Sequence, residues 1–192
     1  TYDILLRAKA FIDEETEQGN RAAHDLLEKA LRQEPHNPLI LEHIVWAMEH
    51  RCAMGWPLIH PEDVQRCVDY ARRGIQYASG DARVMARCAV GLIQPGRDYD
   101  TGMAVIGQAI RVNPNDLFVL QASGVMHLHC GDLDTALQSF ERVLRLAPPD
   151  SSVRFAMTGI AHLFVVRGDY LRALDYAGRS LALNARFDAT YW

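Results

Sequence analysis

No stretch of the 192 residues has the length and apolarity of a membrane span, and no signal-peptide pattern opens the sequence. Cysteine is scarce. Cys52, Cys67, Cys88 and Cys130 form no CxxC pair and have no metal-ligand spacing, which leaves no zinc ribbon and no dithiol redox motif. Core packing in a reducing, cytoplasmic compartment is the favoured reading for them over disulfides, because Cys67 and Cys88 fall where the pattern asks for small residues. Catalytic signatures are missing too: there is no HExxH, GxSxG, P-loop or GxGxxG. The eight histidines do not fill the gap. His43 and His50 lie two helical turns apart, His127 and His129 point to nearly opposite helix faces, and His36 and His60 sit beside prolines in loops. Glu42 and Glu49 share a helix face, where solvated carboxylates are far commoner than acid–base dyads. A net charge of −4 gives no argument for nucleic acid or an anionic membrane surface. No catalytic residue, metal, cofactor or nucleic-acid partner is therefore expected.

What is present is the composition of a folded protein, 49% apolar and 23% charged, long enough for a substantial core. Charge is spread unevenly. Residues 1–63 carry 12 acidic and 6 basic side chains, 64–111 carry 4 and 7, and 112–192 carry 8 and 7. No segment reads as a strand; the apolar residues recur at helical spacing.

The stretch 113–148 is the clearest unit. With Leu117 as position one, Leu120 falls at 4, Ser123 at 7, Gly124 at 8 and His127 at 11. After a break at Gly131-Asp132, Ala136 falls at 20, Phe140 at 24, Val143 at 27 and Pro148 at 32. Two helices joined by a short turn approach closely only where side chains are small, which suits Gly124 and Ala136, and Phe140 fills the space so left. Proline ends the second helix. One such pair cannot bury its own apolar face and needs neighbours.

The rest of the chain supplies them. A helix from Tyr2 to about Glu17 is followed by Asn20 as the expected N-cap of a second, with Ala23, Leu27 and Ala30 at small and apolar positions. Pro38 starts the next first helix. The breakers Gly55-Trp56-Pro57 and His60-Pro61 mark about ten inserted residues before a partner helix from Pro61 to about Ala78. Asp81 caps a third pair that turns at Pro95-Gly96. The fifth pair runs from Pro149-Asp150, turns at Gly168-Asp169 and has Leu171, Ala173, Leu174, Ala177 and Leu181 facing inward on its second helix. Asn184-Ala185 stands where Asn113-Pro114 stood, and 187–192 reads as the start of a further helix. Five pairs result, about 1–35, 36–79, 80–114, 115–148 and 149–185, in a chain that reads as a piece of a longer protein.

Gly124, Ala136, Phe140 and Pro148 at these positions resemble the tetratricopeptide (TPR) repeat family, from which Ser123 and His127 depart. The resemblance implies an all-α, right-handed superhelix, one solenoid over 1–192, used for protein–protein interaction rather than catalysis. It also implies a binding face built from positions 2, 5, 9, 12 and 13 of each first helix. In the second pair these are Leu39, Glu42, Trp46, Glu49 and His50; in the third, Arg83, Ala86, Val90, Ile93 and Gln94. In the fourth they are Phe118, Gln121, Val125, Leu128 and His129; in the fifth, Phe155, Thr158, His162, Val165 and Val166. Apolar and aromatic anchors suit peptide or helix recognition, although Trp46, Phe118 and Phe155 suit burial against neighbouring repeats equally. The chaperone-tail clamp of Lys and Asn at positions 5 and 9 is absent. Trp56 in the insertion is either a partner contact or part of a folded-back plug. More narrowly, Tyr2 to Ala8 looks like the start of TPR arrays in bacterial adenylate/guanylate cyclases and winged-helix regulators with a TolB-like segment, implying a regulatory or scaffolding region of a signalling protein. Two other readings stand beside this one: self-association as a homodimer, and small-ligand sensing.

Overall fold

The computed structural model describes residues 1–147 and 153–183. Ten α-helices run through them: α1 Tyr2–Asp13, α2 Glu17–Gln33, α3 Pro38–Ala53, α4 Asp63–Tyr77, α5 Ala82–Ile93, α6 Tyr99–Val112, α7 Leu117–His129, α8 Leu133–Leu146, α9 Arg154–Val166 and α10 Tyr170–Leu183. No strand occurs among the described residues. Contacts concentrate between the two helices of each sequential pair. The chain divides into two units, Thr1–Val112 with α1 to α6 and Asn113–Trp192 with α7 to α10.

Local chemistry sets the boundaries. Asn37, Asp81 and Asp116 accept hydrogen bonds from the first free N–H groups of α3, α5 and α7, and Pro38 occupies the first turn of α3. Gly131 and Gly168 take φ of 81° and 75° at the ends of α7 and α9, a conformation that costs a glycine nothing. The N-cap of α2 differs from the expected one. Helix α1 stops at Asp13, Glu15 takes φ 52°, and Thr16 is the cap, its side chain accepting from Gly19 N at 3.0 Å. Asn20 lies buried inside α2, because its amide has a partner on the first helix of the next pair: it donates to Ala47 O of α3 at 2.8 Å. Helix α4 likewise begins at Asp63 rather than Pro61.

In the second unit the core cluster joins Leu120, Ala136, Phe140 and Val143 to Ala156, Ile160, Leu163 and Phe164 of α9 and Ala173 of α10. Phe140 is fully buried between two glycines. A Cβ added at Gly124 of α7 would meet its ring at 2.5 Å, and one added at Gly159 of α9 would meet it at 2.3 Å. The expected filling of a close helix approach by Phe140 is thus what forms, with Gly159 as a second wall. Of the five residues expected to face inward on α10, Ala173 does. Leu171 and Leu174 are exposed at 84% and 70%, and Ala177 and Leu181 are partly buried. Leu171 stands where α8 has the exposed Asp134. Leu174 stands where α8 has Leu137, which packs on a core cluster that includes α9; no described helix offers α10 the same cover. Pro148, Pro149-Asp150, Asn184-Ala185 and the expected helix at 187–192 lie outside the described residues.

Cys67 and Cys88 are buried free thiols, as the small-residue positions required, and burial pushes both thiols well up. Cys52 is partly buried and Cys130 exposed. Among the described residues no group of His, Cys, Asp and Glu could hold a metal ion, and no helix is long and apolar enough to cross a membrane.

Candidate functional site

Within the first unit, the first helices of successive pairs touch: α1 packs on α3, and α3 on α5. Three side chains from three helices converge on Trp46. The Arg87 guanidinium of α5 lies 4.4 Å from the centre of its ring, Lys9 of α1 lies 5.9 Å away, and His43 meets it edge-on at 6.1 Å. The indole stays partly exposed. An aromatic ring held between cations on neighbouring helices is a rigid platform with apolar area still to offer.

Carboxylates surround this platform. Glu42, one turn before Trp46, lies 3.2 Å from His43 Nδ1. Glu49, nearly one turn after it, is only 9% exposed, and burial pushes its carboxyl up to about 7 against the pull of Arg87. Burial also pulls Arg87 down to about 10, with Glu42 and then Glu49 opposing. Glu42 and Glu49 are therefore not the solvated pair the sequence suggested; α1 and α5 cover the face they share with Trp46. His50 is held below its ordinary range, chiefly by burial and then by Arg87, and its Nε2 has no hydrogen-bond partner.

The insertion after α3 is folded back. Arg51, 2% exposed, donates to Asn20 Oδ1 and Glu17 Oε1, each at 2.9 Å, and to the carbonyl of Pro57. Asp63, equally buried, accepts from Ile59 N at 3.0 Å and His60 N at 2.9 Å. Trp56 is partly buried, its ring 5.6 Å from that of His50. The loop is held in this folded-back position because a buried guanidinium and a buried carboxylate take up its carbonyl and N–H groups, while Trp56 keeps part of its surface open. Beneath it lies His24, 3% exposed, with neither ring nitrogen hydrogen-bonded; burial lowers its affinity for a proton more than Glu28 and Asp63 raise it.

The other expected face residues are scattered by burial. Arg83 is exposed on the first turn of α5, whereas Val90 is a core residue at 7% exposure, because α5 is buried along almost its whole length. In the second unit Phe118 and Gln121 are partly buried, and Val125 packs partly against the core cluster. His129 is exposed, its Nδ1 2.8 Å from Val125 O. Phe155 is 38% exposed with the Arg154 guanidinium 4.6 Å from its ring centre, and His162 is partly buried. Lys9, Arg87 and Arg51 were not singled out from sequence, and Asn20 was expected only as a cap. A cation is silent about which helix it will cross, and a buried Asn or Arg inside an amphipathic repeat looks like any surface position.

No model of a known protein family matches the sequence. Solved structures do resemble it. A thermophilic TPR protein of Thermus thermophilus superposes with a TM-score of 0.70 at 17% identity, over 98% of this chain and 95% of that one. YrrB, a TPR protein with an unusual peptide-binding site, gives 0.56 at 13% identity, over 96% and 86%. Human IFIT1, crystallised as a dimer with m7Gppp-AAAA, gives 0.72 at 13% identity, over 92% of this chain but 41% of its own. At such identities the likeness shows the fold: an all-α solenoid of the tetratricopeptide-repeat type.

Proposed function

We propose that this chain is a non-catalytic protein–protein interaction module that takes up a segment of its partner on the first-helix face of residues 1–112, with Trp46 as anchor. The repeat fold supports an interaction or scaffolding role. The observation that carries the particular face is the convergence of Lys9, Trp46 and Arg87 from three successive first helices on one partly exposed indole. Aromatic platforms fixed by their neighbours lose little entropy on binding and account for much of the energy of known interfaces. The start Tyr2 to Ala8 supports a further step, a cytoplasmic regulatory region of a larger signalling protein such as a bacterial nucleotide cyclase.

The test is a selection of random peptides displayed on phage against the immobilised chain, followed by affinity measurement on wild type and Trp46→Ala. Loss of an interfacial Trp anchor weakens binding by about thirtyfold or more. Selected peptides that bind Trp46→Ala as well as wild type, with its melting temperature unchanged, place the working surface elsewhere.

A further inference from the structure

One carboxylate of the proposed binding face has no hydrogen-bond donor among the described residues. Glu49 is nine-tenths buried, accepts no hydrogen bond among the described residues, and feels one opposing charge, that of Arg87. A carboxyl so largely removed from water and given no donor is costly to ionise. The neighbouring cations do not resolve this. Lys9 is paired with Asp13 on its own helix, Arg87 lies against the Trp46 ring and is drawn to Glu42 more than to Glu49, and Arg83 is itself engaged. His50, next in sequence to Glu49, has a buried Nε2 without a partner. The face is thus short of one hydrogen-bond-donating positive charge at Glu49, beside an indole able to cover an aliphatic stem.

We infer that Glu49 is a receptor for a basic side chain, so that the partner segment this face takes up carries a lysine or arginine that seats against Trp46 and ends on the Glu49 carboxylate. The inference rests on the proposed binding face and specifies its partner's chemistry. An acidic segment is the weaker alternative, because Lys9, Arg83 and Arg87 all have partners already. The seat is also linked to protons. Lys9 and Asp13 from α1, Glu42, His50 and Cys52 from α3, Cys67 from α4, and Arg83 and Arg87 from α5 are charged and titratable groups on the elements around it. Among them Glu49 is the one whose carboxyl is held near 7. Seating a cation requires Glu49 ionised, so binding near pH 7 releases about half a proton.

The experiment uses four pools of acetylated nonapeptide amides, randomised except for a central Lys, Arg, Gln or Glu, titrated calorimetrically into the full chain in two buffers of different ionisation enthalpy. The expected result is that the Lys or Arg pool binds about tenfold tighter than the Gln pool. About half a proton should be released at pH 7, and both effects should vanish in Glu49→Gln, whose fold is verified by its melting curve. A Glu pool that binds best, equal binding of Lys and Gln pools, no binding by any pool, or a Lys preference that survives in Glu49→Gln each overturns the inference. If phage-selected peptides nonetheless depend on Trp46, the binding face stands and only the cation seat falls; if they do not, the face itself is wrong.

Discussion

Gly159→Ala tests the packing logic of the second unit at its tightest point. The added Cβ would lie 2.3 Å from Cζ of Phe140 and 2.7 Å from both ring Cε atoms. The ring has little room to retreat, since it already packs so closely on the Gly124 backbone that a Cβ there would lie 2.5 Å from Cε1. Overpacking of this kind costs about 1–3 kcal/mol, while alanine's better helix propensity offsets about 1 kcal/mol. The net expectation is a loss of up to about 2 kcal/mol. Phe140→Leu alone leaves a small cavity at a fully buried site and costs about 1–2 kcal/mol. Combined, the two should be no worse than Phe140→Leu alone, because the shortened side chain makes room for the methyl group while the propensity gain remains. Urea unfolding followed by circular dichroism gives the energies, and hydrogen exchange over α7 to α10 assigns them to this unit. A double mutant that loses the sum of the two single effects would refute the glycine–ring–glycine account.

Four further expectations follow from the rest of the chain. Arg51→Met should remove the guanidinium that holds Asn20, Glu17 and the Pro57 carbonyl, destabilise the first unit by about 2–4 kcal/mol and speed limited proteolysis within 54–62; an unchanged cleavage rate would contradict the plug. Glu49 has its folded-state proton affinity raised from 4.5 to about 7, so stability falls as pH rises through that window and the full cost, about 3 kcal/mol, is present above pH 7. Glu49→Gln should therefore stabilise the chain at pH 8 and not at pH 4. His24 and His50 act in the opposite sense. Both are lowered below 6.5, so the stability of their neutral burial is present above that value and is lost as pH falls through it, measurable as a drop in urea midpoint toward pH 5 that His24→Gln reduces. Finally, Leu174→Lys should change stability by no more than about 0.5 kcal/mol, while Leu163→Ala in the core should cost about 2–5 kcal/mol; similar losses would mean that Leu174 is buried in solution.

The all-α repeat was legible in the chain because its determinants are local. Asn37, Asp81 and Asp116 cap helices through their own next N–H groups, glycine at 131 and 168 permits the left-handed turn, and apolar spacing needs only a helical period. Phe140 and Gly124 could be matched because a close helix crossing restricts residue size wherever it occurs.

What tertiary structure alone decided depends on which distant groups meet. Asn20 had the right chemistry for a cap and became a buried strut, because Ala47 O and Arg51 stand opposite it. Leu171 and Leu174 had the right spacing for a core and stayed exposed, because burial needs a second surface that no described helix provides. The candidate site has the same origin: Lys9, Arg87 and the α3 pair Trp46 and Glu49 stand far apart in the chain, and only the stacking of α1, α3 and α5 fixes the distances and the desolvation that set their charges.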